Sequence, residues 1–266
     1  MNPGGAKKHF GQHFLHDPRV ITRILTALDP RPGDRIVEIG PGRGALTAPL
    51  IARIGQLDVV EIDRDVIDPL RAACGEAPGL RIHLADALSF DFTALRQEDG
   101  EPLRLIGNLP YNISTPLLFH LLTQAHAVRD MLFMLQKEVV DRMAAGPGED
   151  DYGRLSVALA ARAEVVHLFD VGSGAFHPPP QVDSAVVRLV PRPPAFEIVD
   201  LSLFDRVVTA AFGQRRKQLG NSLRTLADAG TIREAGLEPR ARAEEIAAEG
   251  FARLANLLAA RRDAGP

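Results

Sequence analysis

A chain of 266 residues with 45% apolar side chains can build one large hydrophobic core, or a large and a small one. Its net charge of −3 carries no bulk signal for nucleic acid, and the single cysteine, Cys74, excludes an internal disulfide and a cysteine-built metal site, so no metal is expected. No apolar run reaches the roughly 18 residues needed to span a bilayer, and "MNPGGAKKHFGQHF" lacks the apolar segment of a secretion signal. A cytoplasmic protein without a membrane partner is expected.

Charge is unevenly placed. Residues 1–24 hold Lys7, Lys8, Arg19 and Arg23 against Asp17 alone, with three histidines besides. "HDPRVITRIL" then reads as a helix start, with Asp17 as N-cap and Pro18 at the first position. From residue 35 the short apolar runs "RIVEIG", "LDVVEI", "LRIHLA", "LRLIGN" and "DMLFML" alternate with stretches of helical pattern. Strands separated by helices imply βαβ units and a mainly parallel sheet, whose ligands sit outside the carboxyl ends of the strands.

The first run ends in "VEIGPGRGALT". Gly40, Gly42 and Gly44 let the backbone turn tightly and approach a ligand, and the helix behind them offers free N–H groups. The turn satisfies the dinucleotide fingerprint and also the E-x-G-x-G-x-G form used for S-adenosylmethionine. Two features favour the second. Pro41 removes an N–H from a loop that would otherwise cradle a pyrophosphate. Glu38 puts a carboxylate where the cationic end of a methionine moiety could be held. Glu61 closes the next run, about twenty residues on, where an acid suits the two ribose hydroxyls of either cofactor. Asp86 closes the third, placed to accept from an adenine amine or to cap a helix.

The fourth run ends in Asn108-Leu109-Pro110-Tyr111. An ordinary turn would use Asn and Pro for local reasons. A site beside the cofactor would use them differently. The Asn108 side-chain oxygen and a carbonyl near Leu109 or Pro110 could accept both hydrogens of an adenine amine, and Tyr111 offers a flat face for a splayed-out base. Residues 163–170 and 184–190 read as two late strands. "PRPPAF" at 191–196 reads as a stiff linker, and the remainder as a small helical domain. The expected domains are therefore 1–192 and 193–266.

In combination these stretches resemble the ribosomal RNA adenine N6,N6-dimethyltransferases, specifically the small-subunit (KsgA/RsmA) group. "GQHFL", "EIGPGRGALT", "EIDRD", "ADAL", "NLPYNIST", "FHPPPQVDSAVVRL" and "FGQRRKQLGNSL" carry the likeness along nearly the whole chain. The resemblance implies a Rossmann-like methyltransferase domain with a mostly parallel seven-stranded sheet, plus a small all-helical C-terminal domain. It implies S-adenosylmethionine as cofactor, and N6 of two adjacent adenines in a hairpin loop near the 3′ end of 16S rRNA as the target. The implied partner is the rRNA of an immature 30S particle, with the enzyme a monomer. His13, Leu15, Glu38, Gly40, Gly42, Glu61, Ile62, Asp86, Ala87 and Asn108 would contact the cofactor. Asn108, Leu109, Pro110 and Tyr111 would position the amine, and Phe176 would stack on the base from the other side. Lys7, Lys8, Arg215, Arg216 and Lys217 would contact RNA. Position 13 departs from the pattern, being His where the family usually has Asn. The rival readings are an Erm-like enzyme of large-subunit rRNA, a DNA adenine methyltransferase (usually with a second proline after the Asn), an NAD-dependent oxidoreductase, and a ribosome assembly factor first of all.

Overall fold

The computed structural model describes residues 12–96, 100–214 and 216–263. The chain divides into two units, Met1–Val140 with Val166–Pro191, and Asp141–Val165 with Arg192–Pro266.

The first unit is organised by strands that are nearly continuous apolar runs, the pattern of a sheet covered on both faces. Its helices and strands follow in order: β1 (Phe14–Leu15), α1 (Pro18–Leu28), β2 (Ile36–Ile39), α2 (Thr47–Ile54), β3 (Leu57–Glu61), α3 (Ile67–Ala73), β4 (Leu80–Leu84), β5 (Leu103–Asn108), α4 (Ser114–Thr123) and β6 (Val128–Gln136). After α5 (Lys137–Ala144) and α6 (Arg154–Ala160) come β7 (Ala163–Val171), β8 (Phe176–His177) and β9 (Ser184–Pro191). Seven of the strands form one sheet in the order β4-β3-β2-β5-β6-β9-β7. The pairs from β4 to β6 are parallel, and β9 runs antiparallel to β6. α1 begins as its sequence dictates: Asp17 accepts the Arg19 N–H at 2.8 Å and Pro18 fills the first helical position.

The chain leaves β2 towards β3 and β4, then returns to lay β5 on the other side of β2. The order reverses there, which opens a crevice at the carboxyl ends of β2 and β5. The two strands come very close at that point. A Cβ added to Gly107 would stand 2.5 Å from the Ile39 carbonyl oxygen. At its other end β5 is tied down by Arg104, which is buried and donates to the Asp130 carboxylate at 2.8 and 2.9 Å and to Asp34 at 2.8 Å. A separate two-stranded ribbon pairs β1 with β8, Leu15 lying opposite Phe176. Strands of two residues carry no periodicity, so the sequence offers no sign of this ribbon.

The second unit is helical, with α7 (Leu201–Phe212), α8 (Leu219–Ser222), α9 (Ala229–Glu234) and α10 (Ala248–Asp263). Phe204, Val207, Leu223, Ile232, Phe251 and Leu254 form its core. One expectation is corrected here. The break near 192 omits Asp141–Val165, which belongs to this unit because Tyr152, Val157 and Ala161 bury themselves in the same core. Within the remainder read as a small helical domain, "KQLGNSLRTLA" contributes only the short α8, whose Leu219 and Gly220 N–H groups donate to the Ala241 and Pro239 carbonyls.

Gly107→Ala should destabilise the protein by about 1–3 kcal/mol or more, because the new methyl meets backbone that cannot yield as a side chain would. Urea unfolding checks this; a stability equal to wild type would show that the strands can part.

Candidate active site

The carboxyl ends of β2, β3 and β5 and the loop after β4 surround one pocket, with Gln12–Leu15 along its side. Glu38, on β2, is buried, and its carboxyl accepts the Thr47 hydroxyl at 2.7 Å. Burial pushes its pKa up to about 8, against the Thr47 bond and with a small addition from the neighbouring Glu61 charge. At neutral pH it is a neutral acid with one side towards the pocket. Glu61, at the end of β3, accepts the Ile62 and Asp63 N–H groups on one oxygen at 2.9 and 2.8 Å. Its other oxygen faces the Gly42 N–H at 3.4 Å. Burial outweighs these donors and moves its pKa upward too.

Gly42 has φ +54°, and a Cβ there would stand 3.1 Å from the Phe14 ring, so the turn needs glycine on both counts. Arg43 lies over the other part of that ring, 4.7 Å from its centroid. Asp86 accepts the Leu88 N–H at 2.9 Å on one oxygen and lines the pocket. The bond closes a turn over residues 87–89, so no helix follows for Asp86 to cap. Ile62 lines the same pocket with 48% of its surface exposed, an apolar side chain left open beside two acids. An adenosine with a cationic amino-acid tail fits this set: a buried acid for the ammonium, an acid with an open lone pair for the ribose, and an apolar plate with an acceptor for the adenine.

On the far side of the pocket, Asn108 donates its side-chain N–H to the His13 carbonyl at 2.9 Å. That bond uses one of the amide's two N–H groups and fixes the side chain's orientation, its oxygen remaining an acceptor. Leu109 is buried and its N–H goes to the Met134 carbonyl at 3.1 Å. The Pro110 carbonyl accepts the Ile113 N–H at 3.2 Å, whereas the Leu109 carbonyl receives no hydrogen bond among the described residues. The Tyr111 hydroxyl is 2.7 Å from the buried Ser184 hydroxyl, and its ring stacks on His13 with centroids 5.7 Å apart and planes 26° apart. Burial raises the Tyr111 pKa, so the phenol stays neutral.

Of the residues read from the sequence, His13, Leu15, Glu38, Gly40, Gly42, Glu61, Ile62, Asp86, Ala87 and Asn108 to Tyr111 all line this pocket. Phe176 does not. It is 2% exposed and packs with Leu15, Ile24 and Val171, so the expectation of a second stacking surface gives way to a core aromatic held by the β1–β8 ribbon. The His13 ring differs as well: Nδ1 lies 2.8 Å from the Pro178 carbonyl and therefore donates to it, so this nitrogen is not free for a cofactor. Arg216 and Lys217 are exposed in the second unit, and Lys7, Lys8 and Arg215 lie outside the described residues. Thr47 and Ser184 are contributors that sequence reasoning missed. The only local sign of Thr47 is a hydroxyl at the first position of the helix that follows the glycines.

The family model described as ribosomal RNA adenine dimethylase matches residues 5–260. A protein of Xanthomonas campestris pv. campestris (strain B100), ribosomal RNA small subunit methyltransferase A, is 57% identical over 95% of this chain and 96% of its own. Its counterpart in Xanthomonas axonopodis pv. citri (strain 306) is 58% identical over the same shares. Among solved structures, a dimethyladenosine transferase from Plasmodium falciparum superposes with TM-score 0.74 at 23% identity, covering 91% of this chain and 96% of that one. The 23S rRNA methyltransferase ErmE gives 0.70 at 26% identity, covering 92% and 99%.

Glu38 makes folding stability depend on pH. Its unfolded value is near 4.5 and its folded value about 8, so within that window the folded chain holds a proton that the unfolded chain has lost. This group's contribution to stability therefore declines as pH rises from 4.5 to about 8. Glu38→Gln should flatten the decline in urea unfolding measured across the window; an unchanged slope would contradict the raised pKa.

Proposed function

Because this chain belongs to the ribosomal RNA adenine dimethylase family, we infer that it is an S-adenosylmethionine-dependent methyltransferase acting on N6 of adenines in small-subunit rRNA. The product is N6,N6-dimethyladenosine at two adjacent adenines of a hairpin loop near the 3′ end of 16S rRNA. The observation that carries this reading is the Asn108 amide, held by its donor on the His13 carbonyl with its oxygen available beside the cofactor pocket.

When bound, S-adenosylmethionine supplies an electrophilic methyl on a sulfonium. Glu38 would hold the ammonium of its methionine end, Glu61 the ribose hydroxyls and Asp86 the adenine amine, with Ile62 against the adenine face. Opposite them, an exocyclic adenine amine is a poor nucleophile, because its lone pair is delocalised into the ring. The Asn108 oxygen and the Leu109 carbonyl accept its two hydrogens, which holds the nitrogen in place and raises electron density on it. Both acceptors are neutral, so the amine would keep its protons while the nitrogen–carbon bond forms at the expense of the sulfonium carbon–sulfur bond, leaving a thioether, and the surplus proton would then leave to water. One hydrogen remains after the first transfer. A single acceptor is enough to hold it for the second. Tyr111 carries the base as a stacking platform.

The substrate is rRNA, and we propose an immature 30S particle as its working form, with a cytoplasmic monomer as the enzyme. No helix among the described residues is long and apolar enough to cross a membrane. Contact of RNA phosphates with Lys7, Lys8, Arg215, Arg216 and Lys217 remains part of the same proposal. An Erm-like activity is the second reading, and the similar ErmE fold keeps it worth testing.

Two experiments test this. Labelled S-adenosylmethionine is incubated with unmethylated small and large subunits and the modified nucleosides are mapped; dimethyladenosine is expected in the small subunit, and label confined to the large subunit would overturn the assignment. In the same assay Asn108→Ala should lose at least about 10²-fold in kcat while calorimetric S-adenosylmethionine affinity is retained. Calorimetry in buffers of different ionisation enthalpy should also show a proton released from Glu38 on cofactor binding at pH 7, with affinity rising as pH approaches 8; pH-independent binding without proton release would separate Glu38 from the ammonium.

A further inference from the structure

His13 touches three parts of the site at once. Its carbonyl accepts the Asn108 amide at 2.9 Å, its Nδ1–H donates to the Pro178 carbonyl at 2.8 Å, and its ring stacks on Tyr111 at 5.7 Å. A carbonyl can only accept, so the proton sits on Nδ1 and the ring's orientation is set. Tyr111 is otherwise fixed at its tip, by the Ser184 hydroxyl at 2.7 Å. A hydroxyl contact by itself does not fix the tilt of an aromatic ring's plane. A second ring against one face supplies that support.

We propose that His13 is a positioning residue for the target adenine, its imidazole backing Tyr111 so that the opposite face of Tyr111 receives the base. The proposal rests on the methyltransferase reading above and assigns the ring to the RNA side of the site, although the residue lines the cofactor pocket. The ring's Nδ1–H is committed to Pro178. The backbone carbonyl that orients Asn108 survives any change of side chain, and so does the β1–β8 ribbon beginning one residue later. The ring can therefore be altered without dismantling the amide's support.

The test compares His13→Ala, His13→Asn and His13→Phe in the full chain. For each, apparent KM for unmethylated small subunits, kcat, and S-adenosylmethionine Kd by calorimetry are measured. Ala and Asn remove the ring and should raise KM for the subunit roughly two- to tenfold, with the cofactor Kd nearly unchanged. Phe restores a ring and should recover most of the loss. Weakened cofactor binding with an unchanged subunit KM would overturn the proposal in favour of a cofactor contact. A lower subunit KM in Ala would also overturn it, by showing that the imidazole occupies the base's own place. So would a Phe variant as impaired as Ala, or three variants indistinguishable from wild type. In the protein alone, the Tyr111 ring-proton NMR signals should shift in Ala and Asn; no shift would refute the backing contact. Failure of the wild type to methylate small subunits would instead refute only the assignment of function.

Discussion

The close approach of β2 and β5 is the constraint from which the rest of the site follows. Parallel pairing sets Glu38 opposite Ile106, two residues before Asn108. Gly107 lets β5 continue past the Ile39 carbonyl, where any side chain would force the strands apart. The buried Arg104–Asp130 pair holds the opposite end of β5, and breaking such a pair by removing one partner typically costs about 3–5 kcal/mol. A strand pinned at both ends gives its last residues a fixed direction. Asn108 closes β5 and Leu109 follows it, so the acceptors proposed for the base belong to a fixed strand end, which is what electrostatic preorganisation requires.

The same burial that positions the site differentiates its acids. Glu38 receives one hydroxyl and is otherwise buried, so it is kept neutral at pH 7. Glu61 is nearly as buried but has three backbone N–H groups directed at it, which leaves it a smaller upward shift and a fixed geometry. One carboxyl is thereby suited to sensing a positive group and the other to accepting hydroxyls. The protein achieves this with strand ends and turns alone.

How much of this was legible follows from how local each signal is. Covered parallel strands are continuous apolar runs, so β2 to β6 could be read directly, and the glycine turn and the strand-end acids lie within a few residues of them. The residues on those ends that line the pocket could therefore be read together. What was missed depends on contacts between distant segments. The β1–β8 ribbon, which buries Phe176, has no periodicity to betray it. The hold of His13 on Asn108 runs through a backbone carbonyl, which every residue possesses and no sequence pattern marks. Which core takes α6 is likewise decided by distant packing, Val157 joining that of the second unit.

The central claim is that an amide held by one of its hydrogen bonds presents its oxygen, with the Leu109 carbonyl, to an adenine amine. A crystal structure of the protein with S-adenosylhomocysteine and an adenine-containing RNA hairpin tests it most directly. The account predicts the adenine N6 within hydrogen-bond distance of the Asn108 oxygen and the Leu109 carbonyl, with the bond from Asn108 to the His13 carbonyl intact. An amine bound elsewhere in the pocket, or an Asn108 amide released from His13 and turned over, would contradict it.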